Sequence, residues 1–203
     1  VELLSSSADQ KFSSIILFSS TERESSNEIM TSSSAEPEFP KKCSSLYHQD
    51  SVPYFEITIE EEYRSVLMAC NESKVYFPAQ FTHNDTTIDV MIRQKGNWSW
   101  SCQKKQFVIS FNEFGPDRYK GQRKIVLDQP WYDHSFLRER MGHRIMKQLG
   151  EYHSCVNNAV LSINDEYYGL YSNVERLDKE YVERFFENPE GNLYSENSIL
   201  ETN

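Results

Sequence analysis

The sequence predicts an α+β fold in which helices pack against an antiparallel sheet. Within residues 53–111, four stretches rich in β-branched and aromatic residues follow one another through short links, which is typical of an antiparallel meander. A fifth strand, a long helix, a hairpin and a last helix come after them. The chain has 203 residues, of which 38 % are hydrophobic, so it is long enough for one domain with a substantial core.

Alternation and turn residues place the strands. The pattern predicts strands over residues 53–59, 73–81, 86–93, 105–111 and 123–127, followed by a hairpin with strands over 159–164 and 166–174. Asn84-Asp85 and Asn164-Asp165 are turn signals between paired strands. Leu193-Tyr194 begins a further short strand.

Helical spacing predicts three helices. A short one covers residues 60–68, and the last begins at Asp178, which can cap it, and ends by Phe186. The strongest pattern runs from Asp133 to Gly150, with Asp133 or Ser135 as its cap. Its apolar residues are four apart and form one stripe: Leu137, Met141, Ile145 and Leu149.

Residues 1–50 differ from the rest of the chain. They are rich in Ser, with Glu, Asp, Pro and Lys, and they show no sustained hydrophobic period. Such a segment cannot bury enough apolar surface to offset the entropy lost on ordering. We therefore predict a disordered or O-glycosylated Ser-rich linker over 1–50 and a folded domain over 51–203. Val1 in place of Met suggests that this sequence begins inside a longer protein.

Charge and motifs exclude several function classes. The formal net charge of −10 disfavours nucleic acid and a bare anionic membrane as partners. No apolar run approaches the about 18 residues of a transmembrane helix. The five histidines form no H-E-x-x-H or H-x₃-H pair, which argues against a zinc hydrolase, and no Walker loop or G-x-S-x-G elbow occurs.

The four cysteines do not decide whether the protein is secreted or cytosolic. Cys43, Cys70, Cys102 and Cys155 are too far apart in sequence for a zinc knuckle or a redox C-x-x-C pair. They fit disulfides in a secreted protein, with three possible pairings, or buried thiols in a cytosolic one. Glycosylation triplets begin at three asparagines and add some weight to a secreted or cell-surface glycoprotein: Asn71, Asn84 and Asn97.

The region from Val90 to Glu113 carries the most suggestive chemistry. Two predicted strands flank a turn at Lys95-Gly96-Asn97, followed by the hydroxyl of Ser99 and by Lys104 and Lys105. Such a turn can lay backbone N–H groups and ammonium groups against phosphate. The same residues also fit an ordinary hairpin with a polar tip.

Five sequence blocks, taken in order, resemble the motifs of one family. Residues 92–97 (I-R-Q-K-G-N) are similar to a V-R-x-K-G-N-S-S turn, 104–111 (K-K-Q-F-V-I-S-F) to a K-K-x-F-R-I-K-F strand, and 132–140 (Y-D-H-S-F-L-R-E-R) to a Y-N-D-P-S-F-L-R-E-K helix start. Residues 164–178 resemble N-G-E-Y-W-G-L-Y followed by V-E-x-V-D, and 191–194 match G-N-L-Y. The resemblance, over residues 52–194, is to the CotH family, named for a spore-coat protein and regarded as atypical secretory protein kinases.

The resemblance implies a diverged protein-kinase-like N-terminal half that binds ATP and Mg²⁺. The cofactor-binding residues it implies are Arg93, Lys95, Gly96, Asn97, Ser99, Lys105 and Glu139. In that picture Lys105 contacts the phosphates and Glu139 holds the lysine. Lys105 could instead be a solvated strand lysine, and Glu139 could pair with Arg138 or Arg140.

The sequence also departs from the family pattern. Trp98 replaces a small loop residue, Val108 and Ser110 replace an Arg and a Lys, and His134 replaces a Pro. The family's catalytic and metal-binding aspartates are expected beyond residue 203. We therefore expect part of a kinase domain that transfers the γ-phosphate of ATP to protein Ser or Thr when complete. The alternative is a non-catalytic adhesion or scaffold module with an extracellular partner.

Overall fold

The structure, a computed structural model, describes residues 40–70, 74–96, 104–114, 117–191, 193–195 and 198–200. Within these ranges the helices are α1 (Glu61–Met68), α2 (Arg138–Gln148) and α3 (Lys179–Phe185), with a 3₁₀ turn at Ser45–Tyr47. The strands are β1 (Tyr54–Thr58), β2 (Phe77–His83), β3 (Thr86–Lys95), β4 (Gln106–Ser110), β5 (Lys124–Asp128), β6 (Val156–Ile163), β7 (Glu166–Val174), β8 (Leu193–Ser195) and β9 (Ser198–Leu200). The predicted α+β class is confirmed.

Strands β1 to β7 close into a barrel. Strands β1 to β5 form the predicted antiparallel meander, and β5 pairs with β7, which pairs with β6. Strand β6 then lies parallel to β1, from Tyr54 opposite Val160 to Ile57 opposite Ile163. The prediction of an antiparallel sheet is therefore correct for every pair of the barrel except β1–β6. Strands β8 and β9 form a separate two-stranded sheet.

Turn chemistry sets two of the hairpins. Asn84 adopts a left-handed conformation between β2 and β3, and Asn164 and Asp165 both do so between β6 and β7. Asparagine and aspartate tolerate this conformation better than other side chains. Strand β2 ends at His83, later than predicted, because its pairing through the Asn84 turn fixes its bounds.

The interior of the barrel is the hydrophobic core. Alternate residues of each strand face inward and are fully buried, among them Ile92, Phe107, Ile109, Leu127 and Leu161. Since successive side chains of a strand point to opposite faces, their polar neighbours Lys95, Gln106 and Asp128 lie on the outer face.

Residues 40–50 belong to the folded unit. Leu46 and Tyr47 are buried in the core, and Cys43 forms a disulfide with Cys155, 112 positions further along. The folded region therefore starts earlier than the predicted boundary at residue 51. The remainder of the predicted linker, residues 1–39, lies outside the described residues.

Helix α2 is shorter than predicted, and its apolar stripe is exposed. Phe136 has a φ of 57°, which interrupts the helical path, so the helix starts at Arg138. The N-cap is Leu137 rather than the predicted Asp133 or Ser135, although the Asp133 carboxylate accepts a hydrogen bond from the Arg138 amide at 2.8 Å. Hydrogen bonds from the Ser135 side chain and from the Arg138 amide lower the pKa of Asp133 to about 2. The apolar stripe faces solvent, since no residue of α2 is buried.

The described helices are all too short or too polar to cross a bilayer.

Candidate functional site

Four polar side chains from three strands and one helix come together, and we call them the Lys95 cluster. Lys95 ends β3 and Asp128 ends β5, and the Lys95 amine forms an ion pair with the Asp128 carboxylate. Asp128 is paired across the ladder with Ser172 of β7. The Ser172 side chain in turn interacts with the carboxyl of Glu139, on the first turn of α2.

The order of the strands explains this convergence. Lys95 is paired with Gln106 on β4, and the next residue, Phe107, is paired with Leu127 on β5. Lys95, Asp128 and Ser172 therefore lie at the same height on β3, β5 and β7, with β4 between the first two, and they share the outer face. Helix α2 adds Glu139 from outside the barrel.

The carboxyl of Glu139 lies in an unfavourable environment. Burial raises its pKa, and the charges of Asp128 and Asp133 act in the same direction, whereas Ser172 and Lys95 lower it. One of its oxygens, Oε2, is buried and accepts no hydrogen bond from the described residues. Leaving such an acceptor without a donor costs about 1–3 kcal/mol. A perturbed carboxyl beside a lysine is a common feature of functional sites.

Lys105 has a structural partner. Its amine donates a 2.8 Å hydrogen bond to the carbonyl of Ala69, at the C-terminal end of α1, and the side chain is buried. A cation at this end of a helix satisfies an orphan carbonyl and interacts favourably with the helix dipole. Burial lowers the pKa of Lys105. The predicted role of Lys105 as the phosphate contact stays a prediction, and the lysine that acts on Glu139 is Lys95.

Lys104 is held in an aromatic environment. Its amine donates to the Leu170 carbonyl at 2.6 Å and lies 4.4 Å from the ring centroid of Tyr171 and 5.2 Å from that of Phe136. Burial lowers the pKa of Lys104 to about 8. Gly169 makes room for this amine, because a Cβ at that position would lie 2.9 Å from it.

The other predicted residues are placed as follows. Arg93 of β3 donates to the carbonyl of Gln94 at 2.7 Å, and its guanidinium lies 5.3 Å from the ring centroid of Tyr76. Gly96 follows Lys95 with a φ of 148°, which favours glycine. Asn97 and Ser99 lie outside the described residues. The structure therefore brings Lys95, Gly96 and Glu139 towards one region.

Sequence reasoning did not assign a role to Asp128 or Ser172. Asp128 directly follows a predicted strand, and that position was a usable signal, since polar residues at strand ends often form sites. Ser172 gave no signal, because a serine within a strand does not reveal which helix covers it.

Lys95 is the group of the cluster whose chemistry suits a phosphate oxygen. The Lys95 side chain is 33 % exposed, so its amine is accessible, and it stands next to the Gly96 backbone. Among the described residues, no three His, Cys, Asp or Glu side chains are arranged to hold a metal. Lys95 is therefore the residue of the cluster from which a phosphate contact can be proposed.

Replacing Glu139 with Gln is expected to stabilise the fold near neutral pH. Because the pKa of Glu139 is raised in the folded state, its charged form opposes folding, and this penalty disappears as the pH falls below the carboxyl's unfolded pKa. Thermal unfolding of both proteins between pH 4 and pH 8 should show a higher midpoint for Glu139→Gln at pH 7 and convergence at acidic pH. Glu151→Gln, at an exposed position, is the matched control. A lower midpoint at pH 7 would mean that the attraction to Lys95 outweighs burial.

Comparisons with known proteins identify relatives of this chain. A family model described as "CotH kinase protein" matches residues 92–202, more than half of the chain. The inner spore coat protein H of Bacillus subtilis (strain 168) is 27 % identical to this chain over 105 residues. That alignment covers 52 % of this chain and 28 % of the spore coat protein, so the chain spans well under half of its relative. The matched region contains Lys95, Asp128, Glu139 and Ser172, and the chain belongs to the CotH family.

Proposed function

We propose that this chain is the nucleotide-binding part of a secretory protein kinase that phosphorylates Ser or Thr residues of other proteins. The observation that carries the proposal is the Lys95 cluster. In it, a strand lysine next to a glycine turn is paired with a carboxylate, and a half-buried helix glutamate lies beside them. A lysine, a glycine-containing loop and a helix glutamate are the recurring parts of kinase nucleotide sites.

Each residue of the cluster has a distinct role in this proposal. The Lys95 ammonium contacts a phosphate oxygen as a point charge. Asp128 and Glu139 hold the amine in position, and the Ser172 hydroxyl orients the Glu139 carboxyl. The Gly96 backbone allows the chain to approach the phosphates closely. ATP, when bound, supplies the phosphoryl group, and Mg²⁺ would need ligands from outside the described residues.

This assignment differs from the one that the family motif suggests. The motif assigns the phosphate contact to Lys105, whose amine instead caps α1 through Ala69. The side chain of Lys95 is 33 % exposed, so a ligand can reach it. Lys95 also lies near the helix glutamate, Glu139. We therefore propose that Lys95 makes the contact and that Lys105 stabilises the fold.

The test uses the full-length gene product, incubated with radiolabelled ATP, a divalent metal and casein as a general acceptor. Loss of one preorganised electrostatic contact typically lowers the rate about 10²–10³-fold, and we expect Lys95→Ala to do so. Lys105→Ala should lower the thermal midpoint, and its activity should follow the folded fraction. Lys120→Ala, at an exposed lysine elsewhere, is the matched control.

The opposite results are equally informative. Full activity in Lys95→Ala, with loss in a folded Lys105→Ala, would assign the contact to Lys105. If the folded wild-type protein neither binds ATP nor incorporates phosphate, the kinase proposal is wrong. The alternative, a non-catalytic adhesion or scaffold module, would then be supported. Burial of Val108 and Ser110, where the family pattern has Arg and Lys, is the observation that favours this second candidate.

We also propose an extracellular or spore-coat location, with a protein substrate or surface protein as partner. The name of the Bacillus relative and the Cys43–Cys155 disulfide support this placement, because disulfides persist in oxidising compartments.

A further inference from the structure

A cavity of about 830 Å³ lies between α2, the segment before β1 and the segment that leads into β6. We call it the basic cleft. One face of α2 lines it with residues at helical spacing, namely Arg140, His143, Arg144 and Lys147. The cleft does not include the Lys95 cluster, although α2 contributes to both.

The charge of the basic cleft opposes that of the whole protein. The chain has a formal net charge of −10, yet Asp50 is the one carboxylate among the described residues that line the cleft. Asp50 lies 3.5 Å from His48, and both side chains are exposed. A concave site with positive walls in an acidic protein concentrates anions locally.

Two of the cations are available to a ligand. The side chains of Arg144 and Lys147 are exposed and form no hydrogen bond or ion pair with any described residue. His143 accepts a hydrogen bond from the Ser154 amide through Nδ1, at 3.1 Å, so its proton is on Nε2 in the neutral ring. That nitrogen is a further donor.

The walls of the basic cleft are fixed in advance. Arg140 donates to the side chain and the carbonyl of Gln49 at 2.7 and 2.8 Å, and Gln49 donates to the Val156 carbonyl at 2.8 Å. The Cys43–Cys155 disulfide joins the two non-helical walls. A preorganised site loses less conformational entropy when it binds.

We propose that the basic cleft binds a phosphomonoester group, with Arg144 and Lys147 as its principal contacts and His143 as an additional donor. A phosphomonoester carries about two negative charges and three acceptor oxygens, which suits an arginine fork beside an ammonium group. The volume of 830 Å³ exceeds a single phosphate and leaves room for the molecule that carries it. This site is separate from the nucleotide contact proposed above and does not depend on it.

The test measures fluorescence anisotropy of a labelled Gly/Ala decapeptide with one central phosphoserine, in the absence of ATP. We expect the phosphopeptide to bind at least tenfold tighter than its serine counterpart. Arg144→Gln/Lys147→Gln should weaken binding by at least tenfold, whereas Arg138→Gln/Lys179→Gln removes the same charge outside the cleft and should leave it unchanged. Lys95→Ala should also leave binding unchanged, which separates this site from the proposed function.

Competition identifies the source of the phosphate. Inorganic phosphate that displaces the phosphopeptide at a concentration near the peptide's own dissociation constant would indicate a small-molecule ligand. A phosphopeptide that binds more than tenfold tighter than inorganic phosphate would indicate a phosphorylated protein segment. Equal binding of the serine peptide, or undiminished binding by the folded Arg144→Gln/Lys147→Gln variant, would overturn the proposal.

Discussion

Replacing Arg184 with Ala is expected to destabilise the fold by about 3–5 kcal/mol, because it leaves a buried carboxylate without its partner. Arg184 of α3 donates two hydrogen bonds to Glu175, at 2.7 and 3.1 Å, and a third to the His153 carbonyl. The two side chains are only 6 % and 2 % exposed. Glu175 also accepts a bond from the Cys155 amide at 2.9 Å, so the pair joins α3 to the end of β7 and the start of β6.

Urea denaturation measures this cost. Arg184→Lys keeps the charge but not the planar fork, so it should lie between the wild type and Arg184→Ala. The matched control is Arg64→Ala, since Arg64 pairs with the exposed carboxylates of Glu61 and Glu166 and should contribute within about 1 kcal/mol. A cost below about 1 kcal/mol for Arg184→Ala would mean that the buried pair with Glu175 does not hold α3 to the barrel.

Local chemistry made most of the secondary structure predictable. The Asn164-Asp165 turn needs two left-handed residues, and both residue types tolerate that conformation. Asp178 caps α3 as predicted, because its side chain accepts from the Glu180 amide at 3.2 Å. Such signals lie within a few residues of the element that they define, so sequence reasoning can find them.

Long-range pairing was not predictable from the same signals. The parallel contact of β1 with β6 joins segments about a hundred residues apart, and no local pattern encodes it. The burial of Leu46 and Tyr47 was missed because they form a short apolar segment inside a Ser-rich region. The apolar periodicity of α2 correctly predicted a helix. A periodicity does not reveal which surface covers the apolar stripe, and in this structure the stripe is exposed.

The candidate site shows the same division. The sequence identified Lys95, Gly96 and Glu139 as chemistry-bearing residues, whereas Asp128 and Ser172 join them through the barrel alone. The same turn is flanked by three lysines, Lys95, Lys104 and Lys105. Their neighbours in the folded structure determine the role of each. Lys105 is directed to the end of α1, Lys104 to the Leu170 carbonyl and Lys95 to Asp128.

Removing the Cys43–Cys155 disulfide should have the second large effect on stability. The bond closes a loop of 112 residues, and in the chain-entropy description a loop of this length is worth about 4–5 kcal/mol. A Cys43→Ala/Cys155→Ala variant should therefore lose about 2–5 kcal/mol in urea denaturation, the range found when native disulfides are removed. The segment around Leu46 should also become cleavable by protease, because the disulfide attaches it to the start of β6.

A local control separates the disulfide from the packing beside it. Leu46→Ala removes a fully buried side chain of the same segment but keeps the bond, and it should cost about 2–5 kcal/mol through the cavity that it leaves. If the double cysteine variant loses less than about 1 kcal/mol and resists protease, burial of Leu46 and Tyr47 is sufficient to hold residues 40–50 in place. If both variants expose the segment, the disulfide and the core contacts act together. The basic cleft would then lose one of its fixed walls, since Cys43 and Cys155 both line it.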